Sequence, residues 1–139
     1  MPGGVGIGVL VADSPYGPFK DPLGKPLVKN SNHDIDPTIL IDDDGQAYMY
    51  WGNPKVYYVK LNEDMISYSG EINVEPTTPQ NYQEGPWVWK RNDKYYMSYA
   101  STCCLEGIGY AMSDSPTGPW EYKGMIVESS EKTRGNHPG

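Results

Sequence analysis

The sequence predicts an all-β fold built from repeated four-stranded units, the pattern of a partial β-propeller. Internal repetition is the first observation. Gly6-Ile7-Gly8-Val9 and Asp13-Ser14-Pro15-Tyr16-Gly17-Pro18-Phe19 return as Gly107-Ile108-Gly109-Tyr110 and Asp114-Ser115-Pro116-Thr117-Gly118-Pro119-Trp120, always 101 residues later. A second unit repeats at about half that distance: Pro37-Thr38-Ile39-Leu40 with Ala47-Tyr48-Met49-Tyr50 parallels Pro86-Trp87-Val88-Trp89 with Tyr95-Tyr96-Met97-Ser98. A period near 50 residues holding several short strands marks a propeller blade. The second observation is composition: 12 Tyr and 4 Trp against 1 Phe, with only 37% hydrophobic residues, suits half-wet sheets better than a helical core. The third is punctuation: 16 Gly and 13 Pro fall between the apolar runs and not in one biased tract.

Taken in order, residues 5–32 read as the outer half of a blade, 33–82 as a complete blade, 83–135 as a second, and 136–139 as the start of another. In the first complete blade Thr38 to Ile41 is an apolar, β-branched strand. Asp42-Asp43-Asp44-Gly45 is a solvated hairpin turn whose Gly45 can take positive φ; it lacks the distal Glu of an EF-hand loop. Ala47 to Trp51 and Val56 to Val59 follow as strands, with Glu71 to Val74 as a fourth. The next blade repeats this as Trp87 to Lys90, the turn Arg91-Asn92-Asp93, Tyr95 to Ala100, Gly109 to Met112 and Tyr122 to Val127. Each Asp-Ser-Pro-x-Gly-Pro is a turn between third and fourth strands. About two and a half blades are therefore present. They cannot close a ring alone, so the chain reads as a truncated gene, a fragment or a self-assembling half. A homo-oligomer is expected, most simply a two-fold dimer, because cut blade flanks and unpaired edges are templates for association.

The bulk numbers exclude several functions. The net charge is −7, from 18 acidic and 11 basic residues, with no basic stripe to suit nucleic acid. No apolar run approaches the ~20 residues that span a bilayer. Met1-Pro2-Gly3-Gly4 shows no signal-peptide pattern, which leaves a secreted, periplasmic or cytoplasmic parent open. Cys103 and Cys104 are adjacent, too close for a long-range staple, and no zinc spacing surrounds them. They are expected to be two thiols on or beside a strand.

Two carboxylates carry the chemistry. Asp36 precedes Pro37 and Glu84 precedes Gly85-Pro86, each just before the first strand of a blade. Equivalent positions in two copies would aim both at one centre. Paired, separately tuned carboxylates are the tools of glycoside hydrolysis.

His33-Asp34-Ile35-Asp36-Pro37-Thr38, Asp42 to Tyr48, Glu84-Gly85-Pro86-Trp87, Gly107 to Trp120 and Asn136-His137-Pro138-Gly139 together resemble glycoside hydrolase family 43. The likeness covers nearly the whole chain, in family order. It implies a five-bladed β-propeller and an inverting hydrolase that removes terminal xylose or arabinofuranose from xylan or arabinoxylan. It resembles most the β-xylosidase, α-L-arabinofuranosidase and arabinoxylan arabinofuranohydrolase members. By the same resemblance Glu84 is the general acid, and Asp36 orients it and raises its pKa. The general base matches an Asp of the family's first blade, expected upstream of Met1, so whether the chain is itself an enzyme stays open. No cofactor is implied for the reaction; a structural calcium is, beside His137. Substrate contacts are expected from His33, Ile35, Trp51, Thr102 and Glu106, although Trp51, like Trp87 and Trp89, is of the type that also packs blades. The alternative is a non-catalytic carbohydrate-binding or oligomerising propeller fragment.

Overall fold

The computed structural model describes residues 6–102, 105–132 and 136–138; Cys103 and Cys104 lie outside them, as does Gly139. It is all-β, with two four-stranded antiparallel sheets in simple sequence order. The first holds β1 (Thr38–Ile41), β2 (Ala47–Trp51), β3 (Tyr57–Leu61) and β4 (Tyr68–Val74). The second holds β5 (Tyr82–Arg91), β6 (Lys94–Ser101), β7 (Gly107–Ser113) and β8 (Glu121–Val127). No helix among the described residues is long and apolar enough to cross a membrane.

The turns form where the sequence permits left-handed backbone. Gly45 has φ 85° between β1 and β2, while Asn92 and Asp93 have φ 50° and 57° between β5 and β6. Asn and Asp tolerate that region better than other side chains. The β4 strand begins three residues before the expected Glu71. The β5 strand begins five residues before the expected Trp87, because a register shift between Glu84 and Trp87 absorbs Gly85 and Pro86 without ending the pairing to β6.

Strand alternation splits the core in two. On β2, Tyr48 and Tyr50 face the second sheet and join Leu40, Val88, Met97, Tyr99 and Trp120. Ala47, Met49 and Trp51 face the other way and pack against Ile7 and Val28. This is why every residue of β2 is buried. The inner strands β1 and β5 thereby come side by side, each bringing its carboxylate-bearing end.

The segment before β1 keeps the register of the later repeat near its turn: Val11 bridges Lys20 as Met112 pairs Glu121, 101 residues later. Further from the turn the two part, since Ile7 bridges Val28 while Ile108 pairs Val127, two residues short of that offset, after register shifts in the later pair. The matching turns also agree: the amide of Gly17 donates to the Ser14 carbonyl at 2.9 Å, and that of Gly118 to Ser115 at 3.2 Å.

The Asp42 to Asp44 turn is not simply solvated. Lys90 of β5 reaches across to Asp42 at 2.9 Å and to Asp43 at 2.8 Å, and the Tyr95 hydroxyl donates to Asp42 at 2.6 Å. Burial alone would raise the Asp42 carboxyl. The hydrogen bonds from Tyr95 and Lys90 outweigh it and hold the group below its ordinary value. The turn is a tie between the sheets.

Candidate active site

Asp36 sits at the end of the loop that feeds β1, in left-handed backbone with φ 55°. The loop is anchored from below by Asp34, which is almost fully buried. Its carboxylate accepts the amides of Asn30 and Ser31 and the indole N–H of Trp51, the last at 2.9 Å. Burial pushes Asp34 up, but these donors prevail and hold it below the usual carboxylate value. A charged, fully engaged carboxylate two residues before Asp36 leaves the loop little freedom.

Glu84 lies within β5, opposite Ala100 of β6. It is half-buried, as is Asp36, and the two side chains converge. Asp36, Glu84 and His137 each place a ligand-type atom within 4.8 Å of the others. The His137 Nε2 stands 3.3 Å from Asp36 Oδ2. Its ring lies over Gly85, where an added Cβ would come within 2.2 Å of Cε1.

Two further groups complete the cluster. The side-chain amide of Asn53 donates to Glu84 Oε2 at 2.6 Å. The buried hydroxyl of Tyr82 donates to the Gly52 carbonyl at 2.7 Å. Burial raises the Tyr82 phenol strongly, and the negative charges of Asp36 and Glu84 raise it further, so it remains a neutral donor. Neither residue was singled out by the repeat pattern. Tyr82 stands two residues before Glu84 on one strand, but a register shift between them breaks the alternation that would have tied their faces together. Asn53 had no local signal, being 31 residues from its partner.

The expected substrate contacts fare unevenly. His33 and Ile35 are exposed on the Asp36 loop. Thr102 is exposed at the end of β6, with φ 59° and its amide bonded to the Asn81 carbonyl at 3.0 Å. Glu106 precedes β7, its carbonyl accepting the Asn136 side chain at 2.8 Å. Tyr82 pairs Ser101, which pairs Gly107, so Thr102 and Glu106 share the Glu84 end of the second sheet. Trp51 offers no platform for a sugar. It is fully buried, bonded to Asp34 and stacked on Tyr57 at 5.8 Å, because its β2 position faces the core beside Ile7 and Val28.

Oxygen atoms of Asp36 and Glu84 within 4.8 Å of each other can tune one another electrostatically. They leave too little room for a water between an inverting acid and base, which stand roughly 6.5–9.5 Å apart.

Comparison with known proteins finds relatives over nearly the whole chain. The family described as glycosyl hydrolases family 43 matches residues 2–139. An arabinoxylan arabinofuranohydrolase of Paenibacillus polymyxa is 38% identical over 156 residues, covering 91% of this chain and 24% of its own. The structure of an α-L-arabinofuranosidase from Clostridium thermocellum superposes with a TM-score of 0.79 at 43% identity, over 88% of this chain and 44% of that one. A Bacillus subtilis arabinoxylan arabinofuranohydrolase, solved with cellotetraose, gives a TM-score of 0.73 at 35% identity over 88% of this chain and 31% of its own. The chain spans less than half the length of each.

Proposed function

The chain belongs to glycosyl hydrolases family 43, and from that premise we propose that it carries the acid half of an inverting glycosidase acting on terminal arabinofuranose or xylose of arabinoxylan. The observation that carries the reading is the convergence of Asp36 and Glu84 within 4.8 Å at the facing ends of two sheets. Glu84 is the proposed general acid, giving its proton to the leaving glycosidic oxygen. Asp36 is its orienting partner, whose negative charge favours the protonated form of a carboxyl nearby. Their separation supports this division, because an inverting base must stand further off. The base is assigned to a blade outside these 139 residues, within a five-bladed ring to which this chain contributes two complete sheets. His33, Ile35, Thr102 and Glu106 are the proposed sugar-facing residues.

A structural calcium beside His137 belongs to the same proposal. Asp36, Glu84 and His137 could share one cation by distance. However, two carboxylates and a nitrogen fall short of the six to eight oxygens that calcium takes. Water would supply most of the shell, and no step is routed through the ion.

Hydrolysis of nitrophenyl β-xyloside and nitrophenyl α-L-arabinofuranoside tests the substrate class, with Glu84→Ala as the control. In the natural polypeptide that carries these residues, a preference for either sugar, with turnover of the matching unactivated oligosaccharide abolished by Glu84→Ala, supports the reading. Equal rates for wild type and variant on that oligosaccharide would defeat it.

A further inference from the structure

Between the two carboxylate-bearing segments runs a short connection, Gly52-Asn53-Pro54, which leaves β2 after Trp51. Three hydrogen bonds fix it. The Gly52 amide donates to the carbonyl of Ile35, the residue before Asp36, at 3.1 Å. The Gly52 carbonyl accepts the Tyr82 hydroxyl, two residues before Glu84, at 2.7 Å. The Asn53 Nδ2 donates to Glu84 Oε2 at 2.6 Å. Only glycine fits at position 52: its φ is 117°, and a Cβ would lie 2.3 Å from the Lys55 carbonyl oxygen. One loop is thus bonded to both segments that carry the acidic groups.

The chemistry of the third bond is specific. An amide nitrogen has only protons to offer, so the oxygen facing it acts as an acceptor and cannot hold a proton of its own in that direction. The other end of the amide, Asn53 Oδ1, faces Gln83 Nε2 at 3.5 Å, a donor on the side that this orientation requires. A bond as short as 2.6 Å suits a carboxylate acceptor. Glu84 Oε1 is left as the atom that can carry and deliver a proton.

We propose that Asn53 is a positioning residue: it reserves Oε2 of Glu84 as an acceptor, so that Oε1 hands the proton to the leaving oxygen, and its loop braces Glu84 against the Asp36 segment. The role in proton delivery rests on the general-acid reading of Glu84. The hold of Asn53 on Oε2 does not.

A pH titration of the isotope-labelled intact chain by NMR tests it. The Asn53 side-chain amide resonances should move with the Glu84 carboxyl carbon, at the same midpoint, and lose that step in Glu84→Gln. In Asn53→Ala, loss of a hydrogen bond to the charged form should raise the Glu84 midpoint by about 0.5–1 pH unit. In Asn53→Asp, the added like charge should raise it further. In the natural polypeptide that carries these residues, turnover of an unactivated oligosaccharide by Asn53→Ala should fall about 5- to 10-fold in kcat with KM unchanged. An Asn53 amide that stays silent through the Glu84 titration in the wild-type chain overturns the proposal, whether or not the variants fold. Coupling without turnover supports the hold on Oε2 and retires only the glycosidase reading. Turnover without coupling overturns the proposal and leaves the glycosidase reading standing.

Discussion

Asp36 and Gly85 occupy the same place in two copies of one unit: each directly precedes a proline, and each has left-handed backbone, at φ 55° and 60°. His137 stands in the same relation to Pro138. The three pre-proline residues meet: the His137 ring fills the space that a Gly85 side chain would need, and its Nε2 faces Asp36. One backbone position, repeated, delivers a carboxylate, a gap and an imidazole to a single point. Glu84 enters from the residue before that gap.

Gly85→Ala should therefore disturb both backbone and site. Left-handed backbone costs a residue with a Cβ about 1–2 kcal/mol, and the methyl would collide with the His137 ring at 2.2 Å from Cε1. Denaturant unfolding should show a loss of at least that size. Unchanged stability would mean that the ring does not rest where the geometry places it.

Asp36→Asn should shift the pH dependence of the reaction. A negative neighbour disfavours ionisation of an acid, so removing it lets the acid lose its proton at lower pH. The alkaline limb of the kcat/KM profile should move to lower pH, with about a tenfold loss at neutral pH for each unit of movement. A limb that stays put, or moves up, would remove Asp36 from this role.

Acid should unfold the protein through Asp34 and Asp42. Both carboxyls lie below the ordinary value of 3.8 when folded. Their contribution is then complete above that value and is lost as pH falls through the lower folded values. Urea midpoints should drop as the pH falls below about 4, and Asp42→Asn should flatten part of that fall. A pH-independent midpoint across that range would contradict the bonding described for both groups.

Association of the 139-residue chain with itself is the riskiest expectation. Ile41 of β1 is 63% exposed and Trp87 of β5 is 50% exposed, on the outward faces of the two sheets. Apolar flanks of this kind are proposed to pair, most simply across a two-fold axis. Sedimentation at micromolar concentration should find a dimer; a stable monomer would end the idea.

The repeat was the legible part of the fold. Its 101-residue offset recurs between the Val11–Lys20 bridge and the Met112–Glu121 pair, because turn chemistry and strand alternation are local properties written in the chain. Both carboxylates were legible too, but not their alignment. Aligning the prolines sets Asp36 against Gly85, not Glu84, and only the register shift after Glu84 shows how that residue is brought in. Asn53 was invisible because its partner is distant in sequence and near only once two sheets pack. Trp51 looked available for sugar because residue type does not reveal which face of a strand is covered from outside its own repeat; here Ile7 and Val28 cover it.

The central claim is that Glu84 donates the proton. The most direct measurement compares leaving groups in the natural polypeptide that carries these residues. Glu84→Ala should lower kcat/KM by about 10²–10⁴-fold on an arabinoxylan oligosaccharide, whose leaving alcohol needs a proton. It should cost far less on a dinitrophenyl glycoside, whose leaving group departs as the anion. An equal loss on both substrates, or none on either, would contradict the assignment of Glu84 as the acid.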